Sequence, residues 1–237
     1  MGEISPLSRS TGYPVRSVRR DVLGLRVLRY RRLSTYLLTA ALAVAAVTVA
    51  ACGGGSSSTS PETSDPYAPP TNVTWTTFQG VSIPCAEQGP ADCPAVAPRG
   101  YQHNGAGAAL AAISATIRMS VAADNDIPRV LGMLVAPNDA RDDFAVNRQL
   151  ISITTPVPEG KAPQVLGYVL DDYTRTRAQV SIITRQPDQS LTSNAAVVTW
   201  SAEGDWRLEL PSTVTAPRVK VLTAVPTQNF IPLPSSN

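Results

Sequence analysis

His103 is the only histidine in the chain. A catalytic imidazole works on a nucleophile's proton and is usually oriented by a carboxylate. Around the segment Gly100-Tyr101-Gln102-His103-Asn104 the sequence places neither partner, so His103 reads first as a histidine at a helix entrance, bonded to backbone. Two adjacent acidic pairs come next, Asp142-Asp143 and Asp171-Asp172. Two carboxylates share one proton only when they face each other, and neighbours on a strand point to opposite faces. Both pairs therefore read as solvated charge. Gly105-x-Gly107 lacks the third glycine and the preceding strand of a dinucleotide fingerprint. There is no Walker loop, no G-x-S-x-G and no H-E-x-x-H. Trp200 and Trp206 flank a short turn and could floor a ligand pocket, although such pairs more often pack across neighbouring strands. Tyr101, His103, Trp200 and Trp206 are thus the candidates for a pocket or a helix entrance. The expectation is no catalytic residue, no cofactor and no metal.

These residues need elements to hold them. Asn104 is a helix N-cap by type, since its side chain can accept from an amide of the first turn. Behind it, Ala106, Leu110, Ile113, Ile117 and Val121 fall on one stripe at helical spacing, while Ala108, Ala111, Ala112 and Ala115 keep the other sides small. This predicts a central buried helix within residues 100–122. Asp126 followed by Pro128 predicts a short second helix ending by Pro137, because proline fits a first turn. A third is expected from about Asn138 to Leu150, with Ala140, Phe144 and Ile151 inward. Strands are expected at 163–172, 177–186, 194–201 and 205–211, where β-branched and aromatic residues alternate with polar ones. The segment Ser201-Ala202-Glu203-Gly204-Asp205 reads as the hairpin turn between the last two. Trp75 to Pro84 reads as an extended leading segment, with an edge segment at 218–224. Helices first and strands second predict an α+β domain of N-terminal helices on a curved antiparallel sheet.

Charge divides the chain into two compartments. Residues 1–36 hold eight arginines against Glu3 and Asp21, a net +6, whereas Cys52 onward carries 12 basic and 16 acidic residues, a net −4. The acidic body has no electrostatic footprint for nucleic acid. Between the two lies an apolar run, Leu37 to Ala51, shorter than the roughly 20 residues of a spanning helix but matched to a secretory signal. Gly53 to Pro70 is almost wholly Gly, Ser, Thr and Pro, a composition expected to act as a spacer rather than to build a core.

The sequence Val49-Ala50-Ala51-Cys52 resembles the lipobox of bacterial lipoproteins. The resemblance implies cleavage between Ala51 and Cys52 and a diacylglyceryl group on the Cys52 sulfur, so the membrane would be a partner through that lipid. Outside the membrane thiols tend to pair, and Cys85 and Cys93 enclose a short polar loop. A disulfide is the reading for them. A metal site and two reduced thiols are the alternatives.

Gly89-Pro90, Gly100-Tyr101, His103 and Gly107-Ala108 with Ala111-Ala112 resemble a segment of uncharacterised actinobacterial secreted and lipoprotein chains, several associated with mobile or conjugative elements. Those helices often begin Thr-Pro, and here Asn104-Gly105 stands instead. The helix-then-hairpin order, with residues 197–210, also resembles the NTF2-like cone, in which a bent sheet wraps an N-terminal helix. That fold occurs in periplasmic subunits of conjugative secretion systems.

The expected organisation is a signal peptide with a long basic front over 1–51, a lipidated cysteine and linker over 52–74, a globular α+β domain over 75–225, and a Pro-rich extended tail over 226–237. The expected role is that of a lipid-anchored cell-envelope protein on the extracytoplasmic face of the membrane. Its domain would be a non-catalytic interaction or assembly module with an envelope protein partner, accessory to conjugation or secretion. The alternative is a lipoprotein that binds a small apolar ligand in an NTF2-like pocket.

Overall fold

Asn104 caps the first helix, accepting from the Gly107 amide at 2.8 Å. The Asn-Gly start therefore supplies the cap by side chain. The computed structural model describes residues 65–213 and 217–236. In it, α1 spans Gly105–Val121, and every residue from Gly105 to Ala115 is buried. Alanine and glycine make this possible. Small side chains on all sides let strands approach one helix from several directions. Leu110 and Ile113, on the predicted stripe, are fully enclosed.

Two shorter helices follow, α2 (Ile127–Leu134) and α3 (Asp139–Arg148). Pro128 sits in the first turn of α2, and Asn138 caps α3 by accepting from the Arg141 amide at 2.8 Å. Ala140 and Phe144 pack against the core as expected. Ile151 does not: α3 ends at Arg148, and Ile151 lies three residues beyond it, 59% exposed. The predicted helical phase does not continue past that end.

Trp75–Pro84 differs more. It is a hairpin, β1 (Thr74–Phe78) and β2 (Val81–Cys85), turned at Gln79-Gly80 with both residues at positive φ. This is the two-residue turn geometry that Asn-Gly or Asp-Gly usually announces. Here Gln stands in the first place, which hides the signal.

The main sheet has six strands and is antiparallel throughout. They are β3 (Gln164–Tyr173), β4 (Arg177–Arg185), β5 (Leu191–Trp200), β6 (Trp206–Glu209), β7 (Val219–Leu222) and β8 (Phe230–Pro232). The order is β6-β5-β4-β3-β8, and β7 also pairs with β5. Thus β6 and β7 share one edge of β5, β6 along 197–200 and β7 along 191–194. Ala195 fills the step between them, with its amide donating to the Arg218 carbonyl at 2.8 Å. β8 lies within the predicted tail, which therefore contributes an edge strand. Register shifts in β3 at Val165/Gly167 and Leu170/Asp172 are bulges, which bend a strand and add twist. Alternating residues Ala178, Val180 and Ile182 of β4 and Ala196 and Val198 of β5 close the core. Three helices and a six-stranded antiparallel sheet make the domain a mixed α and β structure around α1.

Candidate functional site

The β5–β6 hairpin puts Trp200 opposite Trp206, and the rings meet edge to face with centroids 5.2 Å apart. His103, one residue before the cap of α1, lies flat on Trp200 at 3.8 Å with an 8° angle between planes. Its Nε2 meets the backbone carbonyl of Arg175. Trp206 Nε1 donates to the Gln102 carbonyl at 3.0 Å, and Tyr173, 6.1 Å from Trp206, closes the cluster. The sequence-level candidates His103, Trp200 and Trp206 therefore do come together. They do so as a packed joint between the start of α1 and the hairpin, with the imidazole engaged on face and edge.

Asp205 locks this joint. It is buried, and its carboxylate accepts from the amides of Gly100 (2.8 Å), Tyr101 (3.2 Å) and Trp206 (2.9 Å). Arg99 Nε lies 3.6 Å away. In the sequence Asp205 reads only as a turn residue, because two of its three amide partners, Gly100 and Tyr101, lie about a hundred positions upstream. Tyr101 is also buried, and burial raises its phenol well above the usual tyrosine range.

Cys85 and Cys93 form a disulfide, with Cα atoms 6.1 Å apart, inside the usual span of such bridges. Ala51 and Cys52 lie outside the described residues. The bridged loop is held from beneath by Arg118 of α1, which is fully buried. Its guanidinium donates to the carbonyls of Cys93 (2.7 Å) and Ala95 (3.1 and 3.3 Å) and to Ser114 Oγ (2.8 Å), and it lies 4.9 Å from the Phe78 ring centroid. Among the described residues it forms no ion pair, and burial pulls its pKa below the ordinary arginine value. In the sequence Arg118 has the look of a polar break in an apolar helix.

Of the paired acids, Asp171 accepts from Ser181 Oγ at 2.7 Å and Asp142 pairs with Arg141 at 2.7 Å; all four carboxylates are exposed. Among the described residues no group of three or more His, Cys, Asp or Glu is arranged to hold a metal, and no helix is long and apolar enough to cross a membrane.

A feature absent from the sequence-level candidates lies at the α2–α3 flank. Val146, Leu150 and Ile151 are 67%, 83% and 59% exposed. Leu150 and Ile151 line a cavity of about 600 Å³ together with Ile127, Leu131 and Ala145 and the polar side chains Asp124, Arg148, Gln149 and Ser152. Arg148 supports it from within, donating to the carbonyls of Ile151 (2.9 Å) and Ala122 (3.0 Å) and pairing with Asp124 at 3.0 Å. The signal was available in the sequence as Val146, Leu150 and Ile151, but the expected helix turned the last of them inward.

A mixed α and β domain with its aromatic candidates packed and an apolar flank open is what the chain presents. It belongs to the family described as a domain of unknown function, DUF8175, whose model matches residues 39–228. The match begins inside the apolar run and takes in Cys52, the linker and most of the folded domain. No curated protein and no solved structure matches the chain.

Proposed function

We propose that this chain is a lipid-anchored protein of the cell envelope, held on the extracytoplasmic face through Cys52, and that its domain is a non-catalytic docking module for an envelope protein. The domain is read as an NTF2-like cone, with the bulged sheet bent around α1, and the role as accessory to a conjugation or secretion apparatus. One observation carries the docking reading: the exposed side chains Leu150 and Ile151 line an open cavity at the α2–α3 flank whose wall mixes Ile127, Leu131 and Ala145 with Asp124 and Arg148, and Val146 is exposed on α3. The family match, which runs from residue 39 through Cys52 into the domain, supports reading the cysteine, the linker and the domain together.

The test is a pair of variants on that flank, Leu150→Gln with Ile151→Gln, set against His103→Ala in the aromatic joint. The flank variant should retain its melting temperature and lose co-purification of an envelope protein. His103→Ala should lower stability by about 1–2 kcal/mol through lost stacking and a lost hydrogen bond, yet retain that partner. Partner retention by the flank variant, or a folded His103→Ala protein that has lost a measured turnover, would count against the docking reading.

A further inference from the structure

The second half of α1 does not pack fully on the sheet. Between its last turns and the inner face of β3, β4 and β5 lies a cavity of about 170 Å³. Ile117, Val121, Val165, Ile182 and Val219 make its apolar wall. An engineered protein cavity of about 150 Å³ holds benzene, so this one has room for a single ring or roughly six carbons of a chain. The lining includes no Asp, Glu, Lys, Arg or His among the described residues. A carboxylate or ammonium placed there would be desolvated with no partner of opposite charge.

The polar groups that do line the cavity are neutral, and some of their hydrogen-bonding capacity is unspent. Gln186 Nε2 donates to Thr184 Oγ1 (3.1 Å) and Thr192 Oγ1 (2.9 Å), and the two hydroxyls bond each other at 2.7 Å. Each hydroxyl has one hydrogen. One of the two hydrogens occupies the mutual bond and the other is left to donate. From α1, Thr116 also lines the cavity, but its hydroxyl oxygen has no accessible surface, so the threonines able to meet a ligand are Thr184 and Thr192. The cavity therefore pairs a hydrocarbon wall with hydroxyl groups that can meet an uncharged oxygen.

Its mouth is apolar too. Val219 and Val221 of β7 are 54% and 80% exposed. They pair with Asn194 and Thr192, two residues of the cavity lining, so both valines stand on the same face as the cavity. A chain longer than the cavity would continue across them.

We propose that this cavity binds a neutral amphiphile, an aliphatic alcohol, ester or amide, with one hydrocarbon end inside and its uncharged oxygen at the threonines. The site is separate from the α2–α3 flank, and its failure would leave the docking reading untouched. The probe is 1-octanol, titrated into the full chain and followed by methyl NMR of Thr116, Thr192 and Val219. Octanoate and octylamine at neutral pH serve as charged counterparts of equal chain length. Octanol should bind at least tenfold more tightly than either. Val219→Trp, on the half-exposed edge strand, and Ser120→Trp, on the exposed lip of α1, should each weaken octanol binding at least tenfold with the melting temperature preserved. Absence of octanol shifts at these methyls, equal binding of octanoate, or unchanged binding in both folded tryptophan variants would overturn the proposal.

Discussion

A buried arginine without a carboxylate is an expensive residue, and Arg118 shows what the domain gains from it. Desolvation of its charge is offset by charged hydrogen bonds to two carbonyls and a serine. Those carbonyls, of Cys93 in the Cys85–Cys93 bridge and of Ala95 just past it, lie where no strand is available to pair them. Arg118→Met keeps the bulk but orphans both carbonyls, so stability should drop by about 2–4 kcal/mol, read from urea denaturation. Hydrogen exchange across residues 93–97 should speed up alongside it. A loss under about 0.5 kcal/mol would mean the carbonyls find other partners. Asp124 offers a pH test. Its carboxyl is held below the ordinary aspartate range by the Ile153 amide first, then by Ser152, with Arg148 adding to this while burial opposes it. A lowered folded-state pKa contributes stability above the unfolded value, near pH 4, and loses it as pH falls through the folded value. Asp124→Asn should therefore melt below the parent protein at pH 7, with the gap closing toward pH 2. A gap that stays constant with pH would rule out this carboxylate as a source of acid sensitivity.

At the scale of elements, the sequence announced those parts whose pattern is local. Asn104 and Asn138 are caps by residue type, α1 shows a continuous small-residue stripe, and the strands from β3 to β6 alternate clearly. What was hidden depends on distant partners. Asp205 looks like any turn residue until its partners at 99–101 are in place, and Ile151 looks like helix until α3 stops at Arg148. The aromatic candidates were legible as residues, but whether they lined a pocket or packed together depended on where His103 fell relative to the hairpin. The β1–β2 turn was hidden by Gln79 in the place usually held by asparagine. Gly80 beside it explains why the hairpin forms regardless. Its φ of +80° suits glycine, and a Cβ there would lie 2.3 Å from the Val157 carbonyl oxygen. Val157 also donates its amide to the Gln79 carbonyl at 2.9 Å, so the turn and the 157 loop are clasped together. Gly80→Ala should cost about 1–3 kcal/mol from backbone strain alone. Amide exchange should quicken at Val157 as well as within the turn. Protection unchanged at Val157 would mean the two segments are held independently.

For the whole molecule, the placement of the chain's entrance relative to its open surfaces matters most. The described chain begins at Asp65, and the Pro66 carbonyl packs so closely on Gly105 that a Cβ there would meet it at 1.8 Å. The chain therefore joins the domain at the N-terminal end of α1. A helix of 17 residues runs about 25 Å. At its other end stand the neutral cavity, lined by Thr116 to Val121, and the Arg148 contact to Ala122 that anchors the α2–α3 flank. Both candidate surfaces are thus gathered about a helix length from the point where a tether would pull. If Cys52 carries the lipid, the tether enters the described domain at Asp65, beside the start of α1, and both proposed surfaces lie toward the other end of that helix. Cys52→Ala should abolish labelling by a radiolabelled fatty acid and move the protein from membrane to soluble or uncleaved fractions. The purified variant should still capture its partner in solution, because the docking flank belongs wholly to the folded domain. Cellular function should fall nonetheless, since the domain is no longer concentrated at the membrane. Fatty-acid labelling that persists in Cys52→Ala would end the lipoprotein reading. Loss of partner capture in solution, with labelling also lost, would instead place the lipid itself within the docking surface.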